Sequence, residues 1–223
     1  MSNEPLIVTA RISGAISLPW APIALDGLLM WAVAQRLNLP PIIAGEQIAP
    51  LEIPLAREPG GRFHLASLSE QVVEERELRY INRRFPIEQG QTLGNRKLRR
   101  IQINAGAQKS YRLPMETQHL VEDRLRWWCI GDRAEIQGLL AEVHFLGKKR
   151  STGLGQVREW IVDACEAWPG FPVLRDGAPL RALPPDWPGL AADVDIQLRN
   201  LSPPYWDRTK ETECAVPREG GAL

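Results

Sequence analysis

A chain of 223 residues with 44% hydrophobic content can bury the core of one elaborated domain or two small ones, and its 27 basic and 27 acidic residues cancel to a formal charge of zero. Cys129, Cys165 and Cys214 are too few and too widely spaced for a disulfide framework or a zinc knuckle. The opening MSNEPLIVTARIS lacks the basic stretch and apolar run of a leader, and no run of about 18 apolar residues occurs, so a cytoplasmic protein without a membrane span is expected.

The neutral total hides an uneven distribution. From Arg79 to Arg112 there are nine Lys or Arg against one acid, Glu88, so this segment carries +8 and the remainder −8. Such asymmetry fits a nucleic-acid or acidic partner at one patch, and it also fits a solvated basic loop.

In chain order, Leu6 to Ile12 reads as a strand and Gly14 to Pro22 as a turn-rich link. Asp26 is placed to cap a helix over 26–38, whose apolar residues at 25, 28, 29, 32, 33 and 37 share one face and which Asn38 and Pro40 end. Ile48 to Ala56 is strand-like with edge-favouring prolines, Pro59-Gly60-Gly61 is a turn, and Arg62 to Leu68 can pair back as a hairpin. His64 in that strand reads as structural rather than catalytic.

Glu74 to Arg84 shows mixed charge and little apolar periodicity. Leu98 to Asn104 alternates cations with apolar residues, as a strand with one basic face would, and Lys109 to Leu113 is its expected partner. Together they predict a basic hairpin inserted over about 79–117 and projecting from the body. Arg83, Arg84, Arg96 and Lys97 flank it, Arg99 and Arg100 lie on its first strand, and Lys109 and Arg112 on its second. Tyr111 is within reach for stacking on a base, while core packing or plain exposure also fits it.

A strand is expected over Leu125 to Ile130. Asp132 then opens a second helix over 132–143, with Glu135 completing a capping box and Ile136, Leu139, Leu140 and Val143 as its apolar face. Gly155 to Cys165 reads as the next strand. After Trp168 the chain turns rich in proline, glycine and tryptophan, and this extension to 206 is expected to run over the surface on aromatic anchors. Val194 to Leu201 is the last expected strand, and 207–223 an expected polar, poorly ordered tail.

Between the second helix and the strand after it lies Gly147-Lys148-Lys149-Arg150-Ser151-Thr152-Gly153-Leu154-Gly155. Glycines admit positive φ and close backbone approach, exposed amides in such a turn form an anion-binding concavity, and Lys, Arg, Ser and Thr suit phosphate oxygens. The composition points to a phosphate-rich ligand, and it also fits a plain connection with solvated lysines. It is not a Walker A loop, because the glycine spacing is absent and the order of helix and strand is reversed.

The order strand, helix, strand, strand, helix, strand is that of an α+β, ferredoxin-like (RRM-like) βαββαβ domain. With the loop HFLGKKRSTGLGQV at 144–157 between its second helix and fourth strand, the sequence resembles the RAMP superfamily of CRISPR-associated RNA-binding proteins. The stretches APIALDGLLMWAVAQ (21–35) and LRNLSPPYW (198–206) are similar to the small RAMP subunit of type IV CRISPR effectors, and the resemblance spans roughly residues 5–206.

The resemblance implies a non-catalytic subunit that holds the 5′ handle of the guide RNA and caps the backbone of an RNA-guided DNA-targeting complex. Lys148, Lys149, Arg150, Ser151, Thr152, Gly153, Leu154 and Gly155 would lie against RNA backbone. The hairpin near Arg96 to Arg112 would act as the family's thumb, which wedges between handle and spacer. Implied partners are the guide RNA, the backbone RAMP subunits, the large subunit, and target DNA near the flanking motif, or PAM. No cofactor is implied, and Glu122, Asp123 and Asp132 show no metal-ligand spacing with histidine. The alternative within the superfamily is a metal-independent guide-processing endoribonuclease, which needs general acid–base groups. Its usual histidine lies near the first strand or helix, yet Leu6 to Pro40 contains neither His nor Tyr, and His64, His119 and His144 show no evident pairing. An arginine-based site stays open.

Overall fold

The structure, a computed structural model, describes residues 3–18, 22–40, 51–84 and 109–218. In chain order its regular elements are β1 (Glu4–Ser13), α1 (Leu25–Arg36), β2 (Val73–Arg83), β3 (Tyr111–Leu120), β4 (Arg124–Gly131), α2 (Arg133–Leu140), β5 (Gln156–Ala164), β6 (Leu174–Arg175), β7 (Ala178–Pro179), β8 (Asp195–Arg199) and β9 (Thr212–Val216). The class is α+β with antiparallel pairing, as expected. Neither helix is long and apolar enough to cross a membrane.

The main sheet has the order β4-β1-β5, and β1 pairs antiparallel with both neighbours. Alternation along β1 sends Leu6, Val8, Ala10 and Ile12 to one face, all fully buried. The register sets Val8 beside Trp127 and Val162, and Leu6 beside Cys129 and Ala164. Segment 65–70 runs antiparallel along the free side of β4 through isolated bridges, Ala66 with Cys129 and Glu70 with Arg126.

α1 buries Leu25, Leu29 and Ala32, and α2 buries Ile136, Leu139 and Leu140, in one cluster with the inward residues of β1, β4 and β5. Both helices therefore cover the same face of the sheet, and each fully buried leucine contributes about 2 kcal/mol. Arg36 joins them across the surface, bonding the Glu142 carboxylate and the Gly138 carbonyl. Asn38 follows α1 at φ 49°, a left-handed stop of the expected kind. Asp132 caps α2, accepting a hydrogen bond from the Glu135 amide at 3.1 Å.

Asp26 behaves otherwise than expected. Ala24 occupies the cap position of α1, and Asp26 is the second helical residue, 1% exposed. Its carboxylate meets Arg181, 2% exposed, at 3.3 Å, and the Tyr205 hydroxyl at 2.7 and 2.9 Å. Arg181 also donates to the carbonyls of His64, Ala66 and Leu201 and to the Tyr205 oxygen. The first helix, the segment beside β4 and the C-terminal extension thus close on one buried ion pair.

The extension is anchored by aromatics, as its composition predicts. Arg175 lies over the rings of both Trp128 and Trp168, 4.2 Å from each centroid, and Phe63 packs on Trp187 at 5.3 Å. Phe63, Val173, Leu174 and Leu183 form a second small core. The expected last strand is present as β8, but its partner β9 falls in the expected polar tail. There Cys214, Ala215 and Val216 are buried and Ala215 exchanges hydrogen bonds with Leu183. Three buried residues inside a polar stretch give too short an apolar run to read as a strand. All three cysteines are free.

The ribbon includes a strand, β2, that the sequence pattern does not mark. β2 and β3 form a two-stranded ribbon in which Leu113 opposes Ile81 and Tyr111 opposes Arg83. The end of β2 therefore pairs with Tyr111 to Leu113, while Leu98 to Asn104, the expected partner, lies outside the described residues. The pattern of β2 hid this, because residues 74–80 are exposed on both faces and no buried side imposes alternation.

Arg181→Ala leaves the Asp26 carboxylate buried without its cation, so urea denaturation is expected to show a loss of about 3–5 kcal/mol. Replacing both members with apolar residues of similar volume is expected to lose less than that single change.

Candidate nucleic-acid interface

The glycine-rich loop is built on its own backbone. Lys149 (φ 58°) and Gly153 (φ 83°) bracket a short 3₁₀ turn, Arg150–Thr152, and both are left-handed. The Thr152 hydroxyl donates to the Lys149 carbonyl at 2.7 Å and so closes the turn rather than standing free for a ligand. Lys148, Lys149, Arg150, Ser151, Thr152 and Gly153 are exposed, whereas Leu154 and Gly155 are buried and anchor the loop. Among the described residues no carboxylate pairs with Lys148, Lys149 or Arg150.

The glycines divide by what surrounds them. A Cβ at Gly155 would overlap the Leu146 carbonyl oxygen, and one at Gly147 the Ser17 carbonyl oxygen. These two permit close approach of the protein to itself. Of the three, Gly153 alone meets nothing within 4 Å, so only there does the bare backbone leave room for the close approach of a ligand.

Residues 15–17, just beyond β1, bring the loop beside the hairpin. The Ser17 carbonyl accepts from the Lys148 amide at 2.7 Å, and the Ala15 carbonyl from the Gly155 amide at 3.0 Å. Ile16 between them exchanges both backbone hydrogen bonds with Gln118 of β3, at 2.9 and 2.7 Å. Three residues therefore join the loop on one side to the base of the ribbon on the other. No sequence signal marked Ala15 to Ser17, because the contacts are made by backbone.

The ribbon carries the other candidates. Arg84 and Lys109 are exposed at its far end, where Arg83 and Tyr111 face each other in register. Arg112 is exposed and lies over the Tyr80 ring, 4.1 Å from its centroid. Tyr80 is 47% exposed and Tyr111 half-buried, so the more accessible ring is one that the sequence pattern did not single out. The clue was its place in β2, two residues before the cross-strand partner of Arg112. Arg96, Lys97, Arg99 and Arg100 lie outside the described residues.

The histidines stand on three separate elements. His64 is 3% exposed in the segment beside β4, His119 lies in β3, and His144 is exposed beyond α2. Burial, with the Arg57 and Arg181 charges adding to it and Asp26 opposing, pushes the His64 imidazole down to about 4, so it is neutral near pH 7. Among the described residues no group of three or more His, Cys, Asp or Glu could hold a metal ion.

Comparison with known families first gives the class, a protein of type IV CRISPR systems. Residues 66–217, more than half of the chain, match the family described as CRISPR type IV associated protein Csf3, and the chain belongs to that family. It is thereby a subunit of a type IV CRISPR complex. No curated protein matches the chain.

Melting curves are expected to separate the glycines. Gly155→Ala and Gly147→Ala force a Cβ onto a backbone carbonyl at positive φ and lower the melting temperature strongly, while Gly153→Ala carries only the left-handed cost of about 1 kcal/mol. Stability is also expected to fall as pH drops from about 6.5 to about 4, because the unfolded chain binds a proton at His64 that the folded chain resists. The full effect is about 3 kcal/mol, and urea titrations of His64→Gln should show a flatter decline across that window.

Proposed function

We propose that this chain is the small RNA-binding subunit that holds the 5′ handle of the guide RNA and caps the backbone of a type IV effector complex near its PAM-reading end. The observation that carries this reading is the glycine-rich loop. Its three cations are exposed, free of carboxylate partners among the described residues, and held by residues 15–17 beside the base of a projecting ribbon. Unpaired cations on a fixed backbone turn suit a phosphate chain, and such contacts release counterions.

The sheet supports a place in the RAMP superfamily. With 65–70 counted as a strand, the order across the sheet is 65–70, β4, β1, β5, with both helices on one face. That order agrees with a ferredoxin-like βαββαβ unit whose second and third strands are separated by an insertion. The β2–β3 ribbon is that insertion, and in this reading it serves as the thumb. Its partners are the guide RNA, the backbone RAMP subunits and the large subunit, with target DNA near the PAM, in the cytoplasm.

In this reading the subunit binds and does not cut. An endoribonuclease needs general acid and base groups together at one phosphate. His64 is enclosed and neutral, and His119 and His144 belong to different elements, which supports the binding role.

Replacing Lys148, Lys149 and Arg150 together with Ala is expected to weaken binding of labelled repeat RNA. It should flatten the slope of log K against log salt by about 2, at roughly 0.7 per phosphate contact. Anisotropy across a salt series measures this, and an unchanged slope overturns the assignment of the loop. Incubation of the same RNA with the chain in EDTA should leave it intact, and a specific single cut would favour the endoribonuclease instead.

A further inference from the structure

We propose that Trp31 is a stacking platform for a base of single-stranded RNA, beside the phosphates held by the glycine-rich loop; this rests on the RNA-binding reading above. The helix that carries Trp31 sends Leu25, Leu29 and Ala32 into the core, yet leaves the indole 39% exposed on its outer side. Arg150 of the loop stands over that ring, 5.7 Å from its centroid. This is the outer limit of a cation–π contact, so the ring is near the loop without being covered by it.

The same side of α1 holds a second ring. Gly27 is one helical turn before Trp31 and shares its face. The Tyr205 ring lies 3.4 Å from where a Gly27 Cβ would be, and Tyr205 is 38% exposed although its hydroxyl is tied to Asp26. Two partly exposed rings on one face, one of them beside Arg150, a cation with no carboxylate partner among the described residues, match how proteins hold single strands: aromatic faces take bases while Lys and Arg track the backbone. The unpaired charge favours a polyanion over an apolar protein surface as the occupant.

The test measures binding of a fluorescein-labelled single-stranded repeat RNA, and of an abasic strand of the same length, to the full chain. Trp31→Ala is expected to weaken binding to the RNA roughly 5- to 100-fold. The salt slope should stay as in the wild type, Trp31→Phe should retain most of the affinity, and binding to the abasic strand should be insensitive to either change. If Trp31→Ala melts early, Trp31→Leu keeps an apolar side chain on the helix without an aromatic face and is expected to show the same loss. Wild-type affinity in a well-folded variant overturns the proposal, and so does an equal loss with the abasic strand. Normal RNA affinity combined with failure to enter the complex also overturns it, and assigns Trp31 to a protein subunit. The triple Ala variant of Lys148, Lys149 and Arg150 separates the two claims. If it weakens binding and Trp31→Ala does not, only the stacking site fails; if neither variant matters, the loop's RNA role fails with it.

Discussion

The buried contact between Asp26 and Arg181 is the constraint on which the arrangement of this chain depends. Each charge in isolation would be costly to remove from water, and neither is solvated here. Both are held by an unusual concentration of partners. The two terminal nitrogens of Arg181 reach three backbone carbonyls, one carboxylate oxygen and a phenol. The Tyr205 hydroxyl donates to Asp26 and accepts from Arg181, so burial and the neighbouring carboxylate hold that phenol protonated well beyond its usual range. For Arg181 burial opposes the charge, and Asp26 with Tyr205 outweighs it. The pair has to be assembled as a unit, and assembling it brings together residues 155 positions apart in the chain.

That closure reaches the surface. Fixing Asp26 fixes the start of α1, hence the face that carries Gly27 and Trp31, and fixing Tyr205 sets its ring against that face. Just beyond β1, residues 15–17 fix the glycine-rich loop against the ribbon through four backbone hydrogen bonds. The charged loop is thus held between two backbone-defined elements, with the Thr152 hydroxyl closing its turn and Leu154 anchoring it, and the side chains of Lys148, Lys149 and Arg150 take no part in fixing its position through a carboxylate among the described residues. Lys148, Lys149 and Arg150 remain exposed at its surface.

Much of the fold was legible. Alternation in Leu6 to Ile12 and the 3.6-residue periodicity of 25–33 and 136–143 follow from burying one face of each element, and the observed β1, α1 and α2 obey them, while Leu37, expected on the apolar face of α1, is exposed beyond its end. The Pro59-Gly60-Gly61 turn holds as read, with the Glu58 carboxylate accepting from the Gly60 and Arg62 amides. Two strands were not legible. β2 is exposed on both sides, and β9 lies in a polar stretch, so neither leaves a periodic mark. Asp26 misled for a related reason: a carboxylate at a helix start is read as a cap, and only a distant arginine shows otherwise.

The sequence by itself determined the class of fold, the presence and approximate place of both helices, the cap at Asp132 and the kinship with type IV CRISPR proteins, because these depend on local geometry and on residues close together in the chain. Only the tertiary structure decided that Gly147 and Gly155 serve the protein's own carbonyls, that Tyr111 pairs across from Arg83, and that residues 15–17 bridge loop and ribbon. The physical reason is that these contacts are made by backbone atoms, which every residue carries alike. The partnership of Asp26 with Arg181 and Tyr205 was hidden for a different reason, since a side chain's charge shows in the sequence but the distance it spans does not.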